Sequence, residues 1–209
     1  MTPPSSSPDL PPLVAILRGL QPERAAAVGQ LLFACGFRGL EVPLNRPGAL
    51  AAIATLAALA PAGTLVGAGT VLDTAAVDAV AQSGGRLIVS PHFDPAVVAH
   101  TVARGLVAVP GIFTASEAFA ALRAGAHALK LFPAEASSPA ALRALATVLP
   151  PGTPLWPVGG IEPAHLAAWR AAGATGFGIG GALFKPEYEL PEIERRARAF
   201  VAAWEAVAA

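Results

Sequence analysis

The chain predicts a single α/β domain of the (β/α)8 barrel kind. Two observations carry this. Eight short β-like runs alternate with alanine-rich helical segments over about 200 residues, the length a compact barrel of this kind needs. The fingerprint of a dinucleotide-binding sheet is also missing: Gly67-Ala68-Gly69 lacks the third glycine and a downstream acidic residue at the expected distance. A doubly wound sheet is the alternative, because local pattern does not specify closure.

Residues 1–12 hold five prolines and three serines and predict a loose arm, leaving residues 13–209 as one barrel domain. The first strand is the run at 13–17. A helix follows at 22–35, with Pro22 early and Gly36 just past its end. Residues 39–43 form the second strand and 47–59 a helix stopped by Pro61. The third strand covers 65–68, and its helix, 73–83, closes at Gly84-Gly85. The fourth strand is 86–90, followed by Asp94 as N-cap, Pro95 at the first helical position and Gly105 at the end. After a fifth strand at 106–109, Thr114 and Glu117 form a capping box for a helix ending at Gly125. The sixth strand is 128–132, with Ser138-Pro139 opening a helix to about 149. The seventh is 155–158 with a helix at 163–172. The eighth is 176–179, and a last helix runs from about 191 to the end.

Composition narrows the partners. Among 209 residues, 14 basic and 14 acidic side chains cancel, and no arginine tract marks a nucleic-acid binder. Only Lys130 and Lys185 are lysines, against twelve arginines and 49 alanines. Mean hydropathy is +0.57, and residues 47–72 carry no charge. That stretch holds Pro61, Gly63, Gly67 and Gly69 and is mostly alanine, so a helix, a turn and a strand explain it better than a membrane span. No secretory signal is expected, and the single Cys35 excludes an internal disulfide. These features predict a soluble cytoplasmic protein.

Lys130 is the sharpest chemical signal. Period-2 alternation sends Leu129 and Leu131 to one face and Lys130 to the other, which in a barrel points inward. Desolvation lowers the pKa of a buried amine, as attack on a carbonyl to form a Schiff base requires. The alternative is a strand-end lysine snorkelling to solvent. Glu41 shares the inward face of its strand with Gly39 and is a candidate general acid and base, or else a structural partner of Lys130 or Arg18. Arg18, on the face of Ile16, is a candidate fork for a substrate carboxylate, or else an ion-pair partner of Glu41.

Gly159-Gly160 and Gly180-Gly181 follow the seventh and eighth strands, where barrels often hold phosphate. Neither loop contains a lysine or arginine, so binding there would rest on backbone amides and a short helix start at 182–184. Lys185 has no assigned role beyond its place near that loop. Thr70, Pro91 and Phe132 are candidates for the pocket wall, and Trp156 for core or wall. His92, His100, His127 and His165 lie apart, and no metal site or cofactor is expected.

With these residues in place, the chain resembles the 2-keto-3-deoxy-6-phosphogluconate and 2-dehydro-3-deoxy-6-phosphogalactonate aldolases from about residue 12 onward. The segments are Ala15-Ile16-Leu17-Arg18-Gly19, Glu41-Val42-Pro43-Leu44-Asn45, Val66-Gly67-Ala68-Gly69-Thr70-Val71-Leu72, Leu129-Lys130-Leu131-Phe132-Pro133 and Val158-Gly159-Gly160-Ile161. Their order and spacing together are specific.

The resemblance implies a class I aldolase TIM barrel, a homotrimer, yielding pyruvate and D-glyceraldehyde 3-phosphate from a phosphorylated 2-keto-3-deoxy sugar acid. It makes Lys130 the Schiff-base lysine and Glu41 the acid/base. Thr70, Pro91 and Phe132 match pocket positions, and Gly159, Gly160, Gly180 and Gly181 the phosphate site. Pro43-Leu44-Asn45, Val158 and Arg18 resemble the galactonate branch. Phe132-Pro133-Ala134-Glu135 resembles the gluconate branch, and Gly181 departs from a serine seen in galactonate enzymes. The expectation is the galactonate substrate, with gluconate or dual activity as the alternative. A phosphosugar isomerase or epimerase and a non-catalytic binding barrel are more distant competitors.

Overall fold

Parallel strands and outer helices alternate along the chain in a computed structural model that describes residues 9–208. The order is β1 (Leu13–Ile16), α1 (Pro22–Ala34), β2 (Gly39–Pro43), α2 (Ala49–Leu59), β3 (Leu65–Gly69), α3 (Thr74–Gln82), β4 (Leu87–Val89), α4 (Pro95–Ala103) and β5 (Val107–Val109). Then come β6 (Gly111–Ile112), α5 (Ala115–Arg123), β7 (Leu129–Leu131), α6 (Pro139–Val148), β8 (Leu155–Pro157), α7 (Leu166–Ala171), β9 (Phe177–Ile179) and α8 (Leu190–Ala208). Short 3-10 turns sit at Ala134–Ala136 and Pro163–His165. No helix among the described residues is long and apolar enough to cross a membrane.

Six strands pair in the order β5-β4-β3-β2-β1-β9 and three in the order β6-β7-β8. The fifth strand, predicted over 106–109, is β5 and is followed by a further short piece, β6, beyond the predicted bounds. Pro110 divides them, having no N–H to give to a ladder, although its carbonyl still accepts from the Lys130 N–H at 3.0 Å. The other seam is a single parallel bridge between Val158 and Gly178. Both seams together close the curled sheet into the barrel, and the doubly wound alternative is set aside.

Alternation sorts the strands into two layers. Leu40, Val42, Leu129 and Leu131 face outward and join Val28, Leu32, Ile53 and Leu56 of α1 and α2 in the main core. A separate inner cluster of Val14, Leu87, Val89, Val107, Val109, Ala128 and Trp156 fills the barrel. Helix starts follow the expected chemistry. The Asp73 carboxylate accepts from the Ala76 N–H at 2.7 Å, Asp94 from Ala96 and Val97, and Ser138 from Ala141. The Thr114–Glu117 capping box forms at α5.

Residues 1–8 of the predicted arm lie outside the described residues. The loose arm does not extend to residues 10–12. Leu10 packs on the inner cluster, Pro11 is buried, and the Pro12 carbonyl accepts from the Phe177 N–H at 2.7 Å. These residues cover apolar surface at the N-terminal mouth of the barrel, and that burial outweighs the freedom of a proline-rich tail.

Candidate active site

At the opposite mouth, the barrel opens into a cavity of about 410 Å³. All of the candidate site residues line it: Lys130 and Glu41 at its base, Arg18, Thr70, Pro91 and Phe132 on its wall, and Val158 with Gly159, Gly160, Gly180 and Gly181 along one rim.

Glu41 points inward because Leu40 and Val42 take the outward face of β2, and it is 2% exposed. Burial pushes its carboxyl from 4.5 up to about 7, against the opposing pull of Lys130 and Arg18. Its Oε2 atom is buried without a hydrogen-bond partner. Room for it comes from the neighbouring strand: a Cβ at Gly69 of β3 would stand 1.9 Å from Oε2. Any side chain there would displace the carboxylate.

Lys130 of β7 is 6% exposed, and burial pushes its ammonium below the ordinary lysine range. Glu41 pulls it back up, while Arg18 pushes it further down. Its Nζ stands 4.6 Å from the centre of the Phe132 ring, which shares its strand face. The snorkelling alternative is thereby excluded. Ion pairs among the described residues lie on the outer helices, at Asp78, Glu192 and Glu194. Lys130 and Glu41 therefore share a pocket without neutralising each other directly, and both are shifted away from their charged forms.

Arg18, just past β1, donates from Nη1 to the Asn45 Oδ1 at 2.9 Å. The structural ion pair with Glu41 does not form, because the loop after β2 brings an amide acceptor to the guanidinium instead. Thr70 has a φ of +56°, a left-handed conformation unusual for a β-branched residue and costing about 1–3 kcal/mol. That strain sits where β3 delivers its hydroxyl residue to the cavity.

The two glycine loops differ. Gly159 and Gly160 have φ of +107° and +64°, and a Cβ at Gly160 would lie 2.7 Å from the Glu135 Oε2. Gly180 and Gly181 are outside the left-handed region and have no atom closer than 3.9 Å to such a Cβ. The helix start expected at 182–184 is a turn instead. Leu183 and Phe184 both donate their N–H groups to the Gly180 carbonyl, at 2.8 and 3.0 Å.

Lys185, which the sequence placed near the second glycine loop without a defined role, also lines the cavity, as do Glu162, Ile161 and Pro186, which sequence reasoning missed. The rarity of lysine was the available signal for Lys185; the others carried none. The histidines stay apart: His100 bonds Asp78, His127 accepts from the Ala108 N–H, and His165 accepts from the Glu162 N–H. His92 approaches the carbonyl of its neighbour Phe93. Trp156 belongs to the barrel interior.

The arrangement is a desolvated amine and a desolvated carboxyl facing one cavity with a guanidinium at its edge. It suits imine chemistry on a small keto acid. A family model described as "Aldolase: KDPG and KHG aldolase" matches residues 9–195. The chain belongs to that family. It is a class I aldolase, a carbon–carbon lyase.

A probable 2-dehydro-3-deoxy-6-phosphogalactonate aldolase of Rhizobium meliloti (strain 1021) is 45% identical over 94% of this chain and 92% of its own length. The 2-dehydro-3-deoxy-6-phosphogalactonate aldolase of Escherichia coli (strain K12) is 42% identical, covering 92% and 94%. A solved structure described as "Native KDPGal structure" superposes with a TM-score of 0.92 at 40% identity, over 96% of this chain and 97% of that one.

Proposed function

We propose that this aldolase cleaves 2-dehydro-3-deoxy-6-phospho-D-galactonate to pyruvate and D-glyceraldehyde 3-phosphate, with Lys130 as Schiff-base nucleophile and Glu41 as acid/base. The observation that carries the reading is a buried Lys130 and a buried Glu41 on one cavity, neither in an ion pair among the described residues. Groups so costly to bury concentrate where chemistry uses them.

The neutral Lys130 amine attacks the C2 ketone while Arg18 holds the C1 carboxylate. Loss of water leaves an iminium, into which the electrons of the C3–C4 bond flow. Glu41, directly or through a water, takes the C4 hydroxyl proton as that bond breaks and the aldehyde forms. The resulting enamine is protonated at C3, and water releases pyruvate from Lys130. The glycine loops after β8 and β9 take the phosphate. The galactonate preference rests on Val158, Asn45 and the position of Arg18, together with the names of the relatives above.

The reading extends to a cytoplasmic homotrimer. A lone, buried Cys35 suits a reducing compartment. Outward Leu72, Phe113 and Val148, each about half exposed, are surface that association would cover.

The test is a coupled pyruvate-release assay on both C4 epimers, with Lys130→Ala as control. The galactonate epimer is expected to be preferred, and Lys130→Ala to lose on the order of 10⁴-fold or more in kcat. Failure of borohydride to trap a pyruvate adduct on wild-type protein would overturn the imine mechanism. Equal turnover of the epimers would establish dual activity instead.

A further inference from the structure

We propose that Lys185 is a substrate-binding residue, its ammonium engaging the phosphoryl group at the rim of the cavity beside Gly181. This rests on the proposed reading of a phosphorylated substrate.

The chain has two lysines, and both line the same cavity. Lys185 lies five residues beyond Gly180, outside the loop itself, so the sequence places it near the loop without giving it a contact. Spatially they are adjacent: a Cβ at Gly181 would touch the Lys185 Cε at 3.9 Å. Lys185 has no ion-pair partner among the described residues.

The segment carrying it is braced from two helices. Arg24 of α1 donates to the Pro186 carbonyl and, at 2.6 Å, to the Tyr188 carbonyl. Arg196 of α8 donates to the Ala182 carbonyl at 2.9 Å. The Tyr188 ring has the Lys185 Nζ 5.5 Å and the Arg196 guanidinium 4.6 Å from its centre. The two arginines thus hold the backbone on either side of Lys185, and Tyr188 lies beside its exposed ammonium.

Charge supplies the reason. The N–H groups of Gly160, Ile161, Gly181 and Ala182 donate to no protein acceptor among the described residues and are available to an anion. They carry no formal charge. Glu162 lines the same cavity and adds a negative one. A phosphate dianion held there needs a cation, and an ammonium on a braced stem provides it through a charge-assisted hydrogen bond.

The experiment compares wild type, Lys185→Met and Lys185→Arg on the phosphorylated keto acid and on its dephosphorylated analogue. Methionine keeps an apolar stem against Tyr188 and removes the charge. The expected result is a rise of about ten-fold in KM for the phosphorylated substrate in Lys185→Met, with kcat within about two-fold. The KM of the analogue should move by less than about two-fold, and arginine should recover most of the loss. An unaltered KM for the phosphorylated substrate, or equal rises for both compounds, overturns the role of Lys185 and leaves the proposed reaction standing. A wild-type enzyme with no preference for the phosphorylated compound overturns both.

Discussion

The two mouths of the barrel are built from the same strands and are chemically opposite. At the N-terminal mouth, Val14, Leu87, Val107 and Ala128 close the interior with help from Leu10. At the other, Arg18, Glu41 and Lys130 line an open cavity. The change takes one or two pleats: Val14, Ile16, Arg18 along β1 and its extension, Ala128, Lys130, Phe132 along β7. Each step advances the inward position by about 6.6 Å. Apolar packing beneath makes burial of the charges survivable, and it is also what shifts them away from their ionised forms. The lower half supplies stability; the upper half spends some of it on reactivity.

Glu41→Gln should break the contrast most sharply. Activity is expected to fall by roughly 10²–10⁴-fold, with loss of the acid limb near pH 7 from the pH–rate profile. Stability should move the other way. Between 4.5 and about 7 the folded protein keeps a Glu41 proton that the unfolded chain has lost, so wild-type stability falls as pH rises through that window. Glutamine should therefore add up to roughly 3 kcal/mol at pH 8 and little at pH 4, read by urea unfolding. Lys130→Met reverses the sign. Below the ordinary value of 10.5, the unfolded chain holds a proton that the fold disfavours, so its gain is largest at low pH and shrinks as pH rises. Gains that ignore pH would mean the two charges are not desolvated.

Leu87→Ala probes the other end. Leu87 is fully buried in the inner cluster, and its truncation should cost about 2–5 kcal/mol of stability with kcat/KM within about two-fold. A parallel collapse of activity in the still-folded variant would erase the division of labour.

The smallest effect separates the two glycine loops. Gly160→Ala places a Cβ at positive φ and 2.7 Å from the Glu135 Oε2, and KM for the phosphorylated substrate should rise about five- to ten-fold, near 1 kcal/mol. Gly181→Ala meets no such obstacle and should stay within about two-fold.

Strand alternation and turn residues are local signals, and they sufficed for most of the site. Leu129 and Leu131 already imply that Lys130 faces inward, and Leu40 and Val42 do the same for Glu41. Sequence alone also located the glycine loops and the capped starts of α4, α5 and α6, while the Asp73 cap of α3 emerged from the structure. Other features depend on neighbours distant in the chain. Closure runs through the break at Pro110 between β5 and β6 and the bridge from Val158 to Gly178. The need for glycine at position 69 comes from the Glu41 carboxylate across the strand pair, and the Arg18–Asn45 bond from a loop 27 residues away. The lining of the cavity by Lys185, on a segment bonded by arginines of α1 and α8, is likewise a tertiary feature. The amino-acid order set which residues point inward, because the pleat repeats every two residues. Which inward residues meet, and how much water each has lost, was decided by the closed barrel, since contacts and desolvation are properties of the packed whole.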